Sequence, residues 1–146
     1  GDWKFEELFR EIAAEYPGRF SAQLMYSAGL STAIYGGADL FLMPSISEPC
    51  GLSQIIAMRY GTLPIVRETG GLKDTVLPHL HEAGRGFTFA DINAHDMAHV
   101  ISEAVSLYQE DKNEWKRLQW NAMTTDFSWN GPAGQYLAIY QHILEQ

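Results

Sequence analysis

The chain has 146 residues, 46% of them hydrophobic and 12% aromatic, enough to bury one core of ordinary domain size. Its 10 Lys and Arg stand against 18 Asp and Glu, a formal charge of -8, so it has no broad basic surface to neutralise a nucleic-acid backbone. The single cysteine, Cys50, excludes an internal disulfide, GDWKFEELF lacks the basic start and apolar run of a signal peptide, and no apolar run reaches the roughly 20 residues that cross a bilayer. These features point to a soluble protein of a reducing, cytoplasmic compartment, with neither nucleic acid nor membrane as partner.

Apolar spacing alternates between helix and strand character, the pattern of an α/β domain with parallel strands. Phe5, Leu8, Phe9 and Ile12 recur at helical spacing up to a stop at Pro17-Gly18. Arg19 to Leu24 reads as a strand, and Leu30, Ala33 and Ile34 as a short helix closed by Gly36-Gly37. Leu40 to Met43 is a continuous apolar run bounded by Pro44, which predicts a strand buried on both faces. A helix follows with Leu52, Ile55, Ile56 and Tyr60 on one side and Gly61 as its stop. Leu63 to Val66 is the next strand, Gly70-Gly71 opens a loop, and Gly86 to Phe89 is a last short strand. Helices over Ala94 to Tyr108, Glu114 to Met123 and Pro132 to Leu144 complete one domain spanning 1–146, without repeats or a linker.

In open parallel sheets ligands sit outside the carboxyl ends of the strands, and PSISEPCG leaves such an end. Glu48 is its only acidic residue, and the amides of Cys50, Gly51 and Leu52 are expected in the first turn of the next helix, without intrahelical acceptors. Thr69-Gly70-Gly71 leaves the neighbouring strand at the same edge, so two glycine-containing loops should flank one crevice, with Arg67 just before the second. Glycine at a strand-to-helix turn often serves geometry alone. Two such loops together, one with a carboxylate, suit a sugar phosphate or nucleotide sugar.

The stretch ADLFLMPSISEPCGLSQIIAMRYGTLPIVRETGGLKDTV resembles the C-terminal domain of bacterial glycogen synthases and plant starch synthases, retaining glucosyltransferases of the GT-B architecture. The resemblance extends to GGAD before the strand, to GFTF, and to DFSW at Asp126 to Trp129, covering nearly the whole chain. It implies a partial Rossmann-like parallel sheet flanked by helices, the second half of that domain, in a cytoplasmic bacterial protein. The implied activity is transfer of glucose from ADP-glucose to the non-reducing end of an α-1,4-glucan with retention, without cofactor or metal. By the same resemblance Glu48 contacts the glucosyl hydroxyls and stabilises the positively charged transition state. Cys50 and Gly51 hold sugar hydroxyls through their amides, Leu52 and Ser53 reach the pyrophosphate, and Tyr26 stacks on adenine. Ser45, Gly70, Gly71 and Arg67 complete the donor-binding set. Tyr26 has a plainer alternative, covering an apolar sheet edge.

Departures from the family pattern carry expectations too. Related enzymes place a second Glu eight positions after the first to bind ribose; Ile56 stands there, as in the starch-synthase branch and against the UDP-sugar branches. The basic pair that neutralises the donor diphosphate lies on an earlier loop with no counterpart here, and the acceptor-binding N-terminal domain is absent. The chain is therefore expected to be a fragment, inactive alone, whose open sheet edges pair directly or drive self-association. A non-catalytic nucleotide-sugar or glucan-binding module of the same fold is the alternative.

Other chemistries are weaker. His95-Asp96-Met97-Ala98-His99 approaches the H-E-x-x-H zinc motif with Asp for Glu, but a buried stripe of Met97, Ile101, Ala104, Val105 and Tyr108 turns both histidines to water. His79 and His81 bracket Leu80 in what reads as a surface loop. Cys50 sits where a thiolate could be activated, yet no His lies nearby in sequence. Of the acidic residues near the cleft, Glu68 and Asp74 lie at and beyond the next strand end, leaving Glu48 alone. Arg59, Lys73 and Arg85 read as surface charges or helix-end partners.

Overall fold

Helix α1 (Trp3–Glu15) starts where Asp2 caps it, the carboxylate accepting from the Lys4 amide at 3.0 Å. In this computed structural model, which describes residues 2–145, the chain divides into two units, the first ending at Ile34 and the second beginning at Tyr35. The first unit holds α1, a reversal at Pro17-Gly18 in which Gly18 has φ of +75°, and a stack of Phe9 on Phe20 with centroids 6.1 Å apart. Residues 19–24 do not form the predicted strand. Arg19 and Phe20 are spent on the turn, both amides donating to the Tyr16 carbonyl, and no strand among the described residues pairs with the segment. A strand without a partner has no ladder to hold it.

Helix α2 (Ala28–Gly37) runs across the division into the second unit. There, among the described residues, β1 (Leu40–Met43), β2 (Leu63–Arg67) and β3 (Phe87–Phe89) form a three-stranded parallel sheet in the order β1-β2-β3. Met43 pairs with Val66 and Arg67 with Phe89, so all strands end at one edge. β2, central and buried along Leu63–Val66, is the continuous apolar strand the parallel pattern demands. β1 is not buried on both faces: Leu42 is 42% exposed, whereas its partner Ile65 on β2 is 2% exposed.

Helix α3 (Ser53–Arg59) ends in a Schellman motif, with Thr62 N donating to Ala57 O and Gly61 N to Met58 O, both at 3.0 Å. Gly61 adopts the φ of +82° that this cap requires. The buried stripe of α3 is not the expected apolar one. Gln54, Ala57 and Met58, at i, i+3 and i+4, face the core, whereas Leu52, Ile56 and Tyr60 are exposed. The stripe escapes a hydropathy reading because a glutamine leads it. Gly70-Gly71 likewise does more than open a loop: it begins a short helix, α4 (Gly70–Thr75).

Helices α5 (Ala94–Glu110) and α6 (Lys112–Thr124) meet at Asp111, which ends the first and caps the second by accepting from the Asn113 and Glu114 amides. Both pack near the sheet, burying Val100, Ala104, Trp115, Leu118 and Ala122 with Leu63, Ile65, Val66 and Phe87. Each large side chain so buried contributes about 1.5–3 kcal/mol. His95 and His99 face water as predicted, although Val105 is exposed and Val100 takes its place in the stripe. His79 is not a surface residue: its ring stacks on Phe87 at 4.9 Å and its Nε2 lies 3.4 Å from Glu103. Helix α7 (Asn130–Leu144) closes the chain with no buried residue.

Candidate functional site

Because all strands are parallel, the loop after β1 and the loop after β2 leave the same edge. They are also locked together. Gly71 N donates to Pro49 O at 3.2 Å. A Cβ on Gly71 would lie 2.5 Å from Cys50 O, and one on Gly70 would lie 2.0 Å from Glu48 O, so two backbones approach as only glycine allows. Gly70 also has φ of +44°.

The carbonyls of the first loop are then consumed on one side. Pro49 O accepts from Gly71 N, and Gln54 Nε2 lies 3.1 Å from Cys50 O and 2.9 Å from Gly51 O. A trans peptide points its N–H opposite its C=O, and no cis bond occurs among the described residues. The amides of Cys50, Gly51 and Leu52 therefore point to the other side, where no carbonyl among the described residues accepts from them. Gly51, at φ of +76°, followed by Leu52 in the right-handed region gives the concave run of N–H groups that receives anions and hydroxyls. These amides do not belong to the first turn of a helix, as expected; α3 begins at Ser53 and Leu52 is its cap position. Their availability comes from loop geometry instead.

Glu48 is half-buried at the start of this run, and its carboxylate makes no hydrogen bond or ion pair among the described residues. Cys50 is exposed, as is Leu52, while Ser53 is half-buried in the first position of α3. Arg67 turns back onto the loop: Nε donates to Ser45 O at 2.8 Å and an Nη to Ile46 O. It therefore fixes the stretch that carries Ser45 and Glu48. A cleft of about 270 Å³ opens beside it, lined by Pro44, Arg67, Phe89, Ile92, Asn93, Ala94 and Met97. Tyr26 belongs to the first unit, where the residue is 87% exposed.

The remaining charges serve structure. Arg59 donates to Met123 O at the end of α6, and Lys73 lies 3.8 Å from Glu68, whose other oxygen accepts from Thr88. Arg85 donates to Thr75 O at the end of α4 and sits over the Phe127 ring; burial lowers its pKa. Among the described residues no group of three or more His, Cys, Asp or Glu is placed to hold a metal ion, and no helix is long and apolar enough to cross a membrane. Two residues that the spacing did not single out, Gln54 and Thr75, tie the loops together: Thr75 Oγ1 donates to Gly71 O at 2.6 Å and accepts from Gln54 Nε2. The one available signal was a polar residue heading the Gln54-Ala57-Met58 stripe.

This arrangement, a parallel sheet with a carboxylate and a run of free amides at its carboxyl edge, is that of a sugar-nucleotide transferase fold, and the profile described as "Glycosyl transferases group 1" matches residues 19–119. The chain belongs to that family. Among curated relatives it is 50% identical to a glycogen synthase of Desulfitobacterium hafniense over 145 residues, covering 98% of this chain and 31% of that protein. It is 48% identical to a glycogen synthase of Geobacillus stearothermophilus, covering 100% of this chain and 30% of that protein. The catalytic domain of Starch Synthase IV from Arabidopsis thaliana, bound to ADP and acarbose, superposes with a TM-score of 0.82 at 36% identity, covering 98% of this chain and 30% of that one. Sucrose-phosphate synthase from Thermosynechococcus elongatus, at 24% identity and a TM-score of 0.65 over 97% of this chain and 35% of that one, shares the fold. The chain spans about 30% of the length of the curated relatives it matches.

Proposed function

We propose that this chain is the donor-binding part of a glycogen or starch synthase, which transfers glucose from ADP-glucose to the 4-hydroxyl at the non-reducing end of an α-1,4-glucan with retention of configuration. The observation that carries the reading is the interlocked pair of loops, with Glu48 and three amides that have no acceptor among the described residues at the carboxyl edge of the sheet. The glucosyl–phosphate bond breaks with ADP as leaving group, and the acceptor oxygen bonds to the same face of the sugar while its hydroxyl proton passes to the departing phosphate. Positive charge develops on the glucosyl ring, and the Glu48 carboxylate stabilises it. The amides of Cys50 and Gly51 hold the sugar hydroxyls; Leu52, Ser53 and the Gly70-Gly71 backbone face the pyrophosphate. Arg67 keeps Ser45 and Glu48 in place, and Tyr26 stacks on the adenine. The α-glucan acceptor and the N-terminal domain of the same protein are the partners, with the cytoplasm as location.

The identity of about half to glycogen synthases over the whole chain supports this reading, as does the likeness to a starch synthase described as bound to ADP. The rival is a non-catalytic module that binds nucleotide sugar or glucan and has no use for a carboxylate at the reacting carbon. The test is glucose incorporation into glycogen by the full-length protein, from ADP-glucose and from UDP-glucose, wild type against Glu48→Gln. Glu48→Gln is expected to lose about 10²–10³-fold in kcat with nucleotide binding retained. Equal incorporation by the two proteins removes the catalytic role, and preference for UDP-glucose removes the donor assignment.

A further inference from the structure

We propose that Gln54 is the positioning residue of the donor site, acting through the backbone it holds rather than by touching the donor; this rests on the functional reading above. Its side chain is fully buried, and its hydrogen-bond partners among the described residues are all uncharged. Every contact of its Nε2 goes to the two loops: Cys50 O at 3.1 Å, Gly51 O at 2.9 Å, and Thr75 Oγ1 at 3.1 Å, the last of which donates onward to Gly71 O. The carboxamide cannot be turned over, because its oxygen would then face two carbonyl oxygens. Its Oε1 is left buried with no partner among the described residues. A buried acceptor left unpaired is unfavourable, and the side chain is held in place despite it by the loop groups that its Nε2 meets.

What the glutamine secures is direction. By drawing the Cys50 and Gly51 carbonyls inward it turns the Gly51 and Leu52 amides outward, because the two ends of a trans peptide oppose each other. Gly51 leaves room for this: a Cβ there would lie 2.6 Å from Gln54 Oε1. Through Thr75 the same side chain ties the first loop to α4, so both walls of the site are set by one residue.

The test is Gln54→Met, similar in volume and without the carboxamide, in the full-length protein. It is expected to fold, to keep wild-type KM for the glucan, and to lose about 10- to 100-fold in kcat/KM for the nucleotide sugar, since misplaced binding groups cost that much. Thr75→Val should lose less, and Thr75→Ser, which keeps the hydroxyl, should recover. Gln54→Met with wild-type kcat/KM overturns the proposal. If Gln54→Met fails to fold, equal activity of Thr75→Val and Thr75→Ser overturns it instead. Amide NMR of Cys50, Gly51 and Leu52 provides a readout independent of turnover. A wild type that transfers no glucose defeats the functional reading alone, and unchanged amide signals in Gln54→Met then defeat the positioning role.

Discussion

Gly70 and Gly71 show how one missing methyl group can decide a site. Gly70 needs both its positive φ and its lack of Cβ, but Gly71 has ordinary backbone angles, so its absent side chain matters only for approach to Cys50 O. Gly71→Ala is therefore a clean steric probe. A Cβ 2.5 Å from that oxygen forces the loops apart, breaks Gly71 N to Pro49 O, and releases the amides beyond. We expect Gly71→Ala to destabilise by about 1–3 kcal/mol, as overpacking does, and to weaken nucleotide binding more than glucan binding. Calorimetric titration with ADP checks this; unchanged ADP affinity would show that the loops need no such contact. Arg67 makes the complementary point. A cation beside a cleft invites a ligand role, but its guanidinium holds the carbonyls of Ser45 and Ile46 in the loop that carries Glu48.

At the scale of elements, α6 is anchored by charge at its start. Arg117 contacts Glu114 one turn before it and donates to the carbonyls of His79, His81 and Glu82, so the helix holds the loop that precedes β3. The hydrogen bond from Arg117 holds the Glu114 carboxyl below its usual value, and Glu114 in turn raises Arg117. A carboxyl whose pKa is lower folded than unfolded stabilises the fold fully above the unfolded value, and that contribution is lost as pH falls through the folded value. Glu114→Gln should therefore melt below the wild type at neutral pH, with the gap closing as pH drops below the ordinary carboxylate range near 4.5. Melting curves from pH 7 to pH 3 decide it: a constant gap would mean that packing, not charge, links Glu114 to α6. The pair is about one-third exposed, so solvent keeps the effect small.

At the scale of the molecule, apolar surface is distributed unevenly. α1 and α7 bury no residue, and Trp3, Phe5, Leu137, Tyr140 and Ile143 are each more than half exposed. Among the described residues β1 has a strand neighbour on one side only. Apolar patches and an unpaired edge of this kind drive association. The 146-residue chain by itself is expected to self-associate in a concentration-dependent way in sedimentation velocity, and a clean monomer at high concentration would count against this.

The sequence alone determined the order and type of most elements, since apolar periodicity and glycine or proline stops record which backbone each segment prefers. It also placed EPCG and Gly70-Gly71 at the ends of two strands, and strands of a parallel sheet finish at one edge. Tertiary structure decided what depends on neighbours distant in sequence. Residues 19–24 look like a strand by composition, but a strand exists only with a partner to pair it. Leu42, Ile56 and Val105 are apolar yet exposed, because burial is set by what packs against a residue and not by its own character. His79 reads as a loop residue and stacks on the core. Gln54, the least conspicuous letter of its motif, holds the carbonyls that aim the amides, and only the folded chain brings Cys50, Gly51, Gly71 and Thr75 around it.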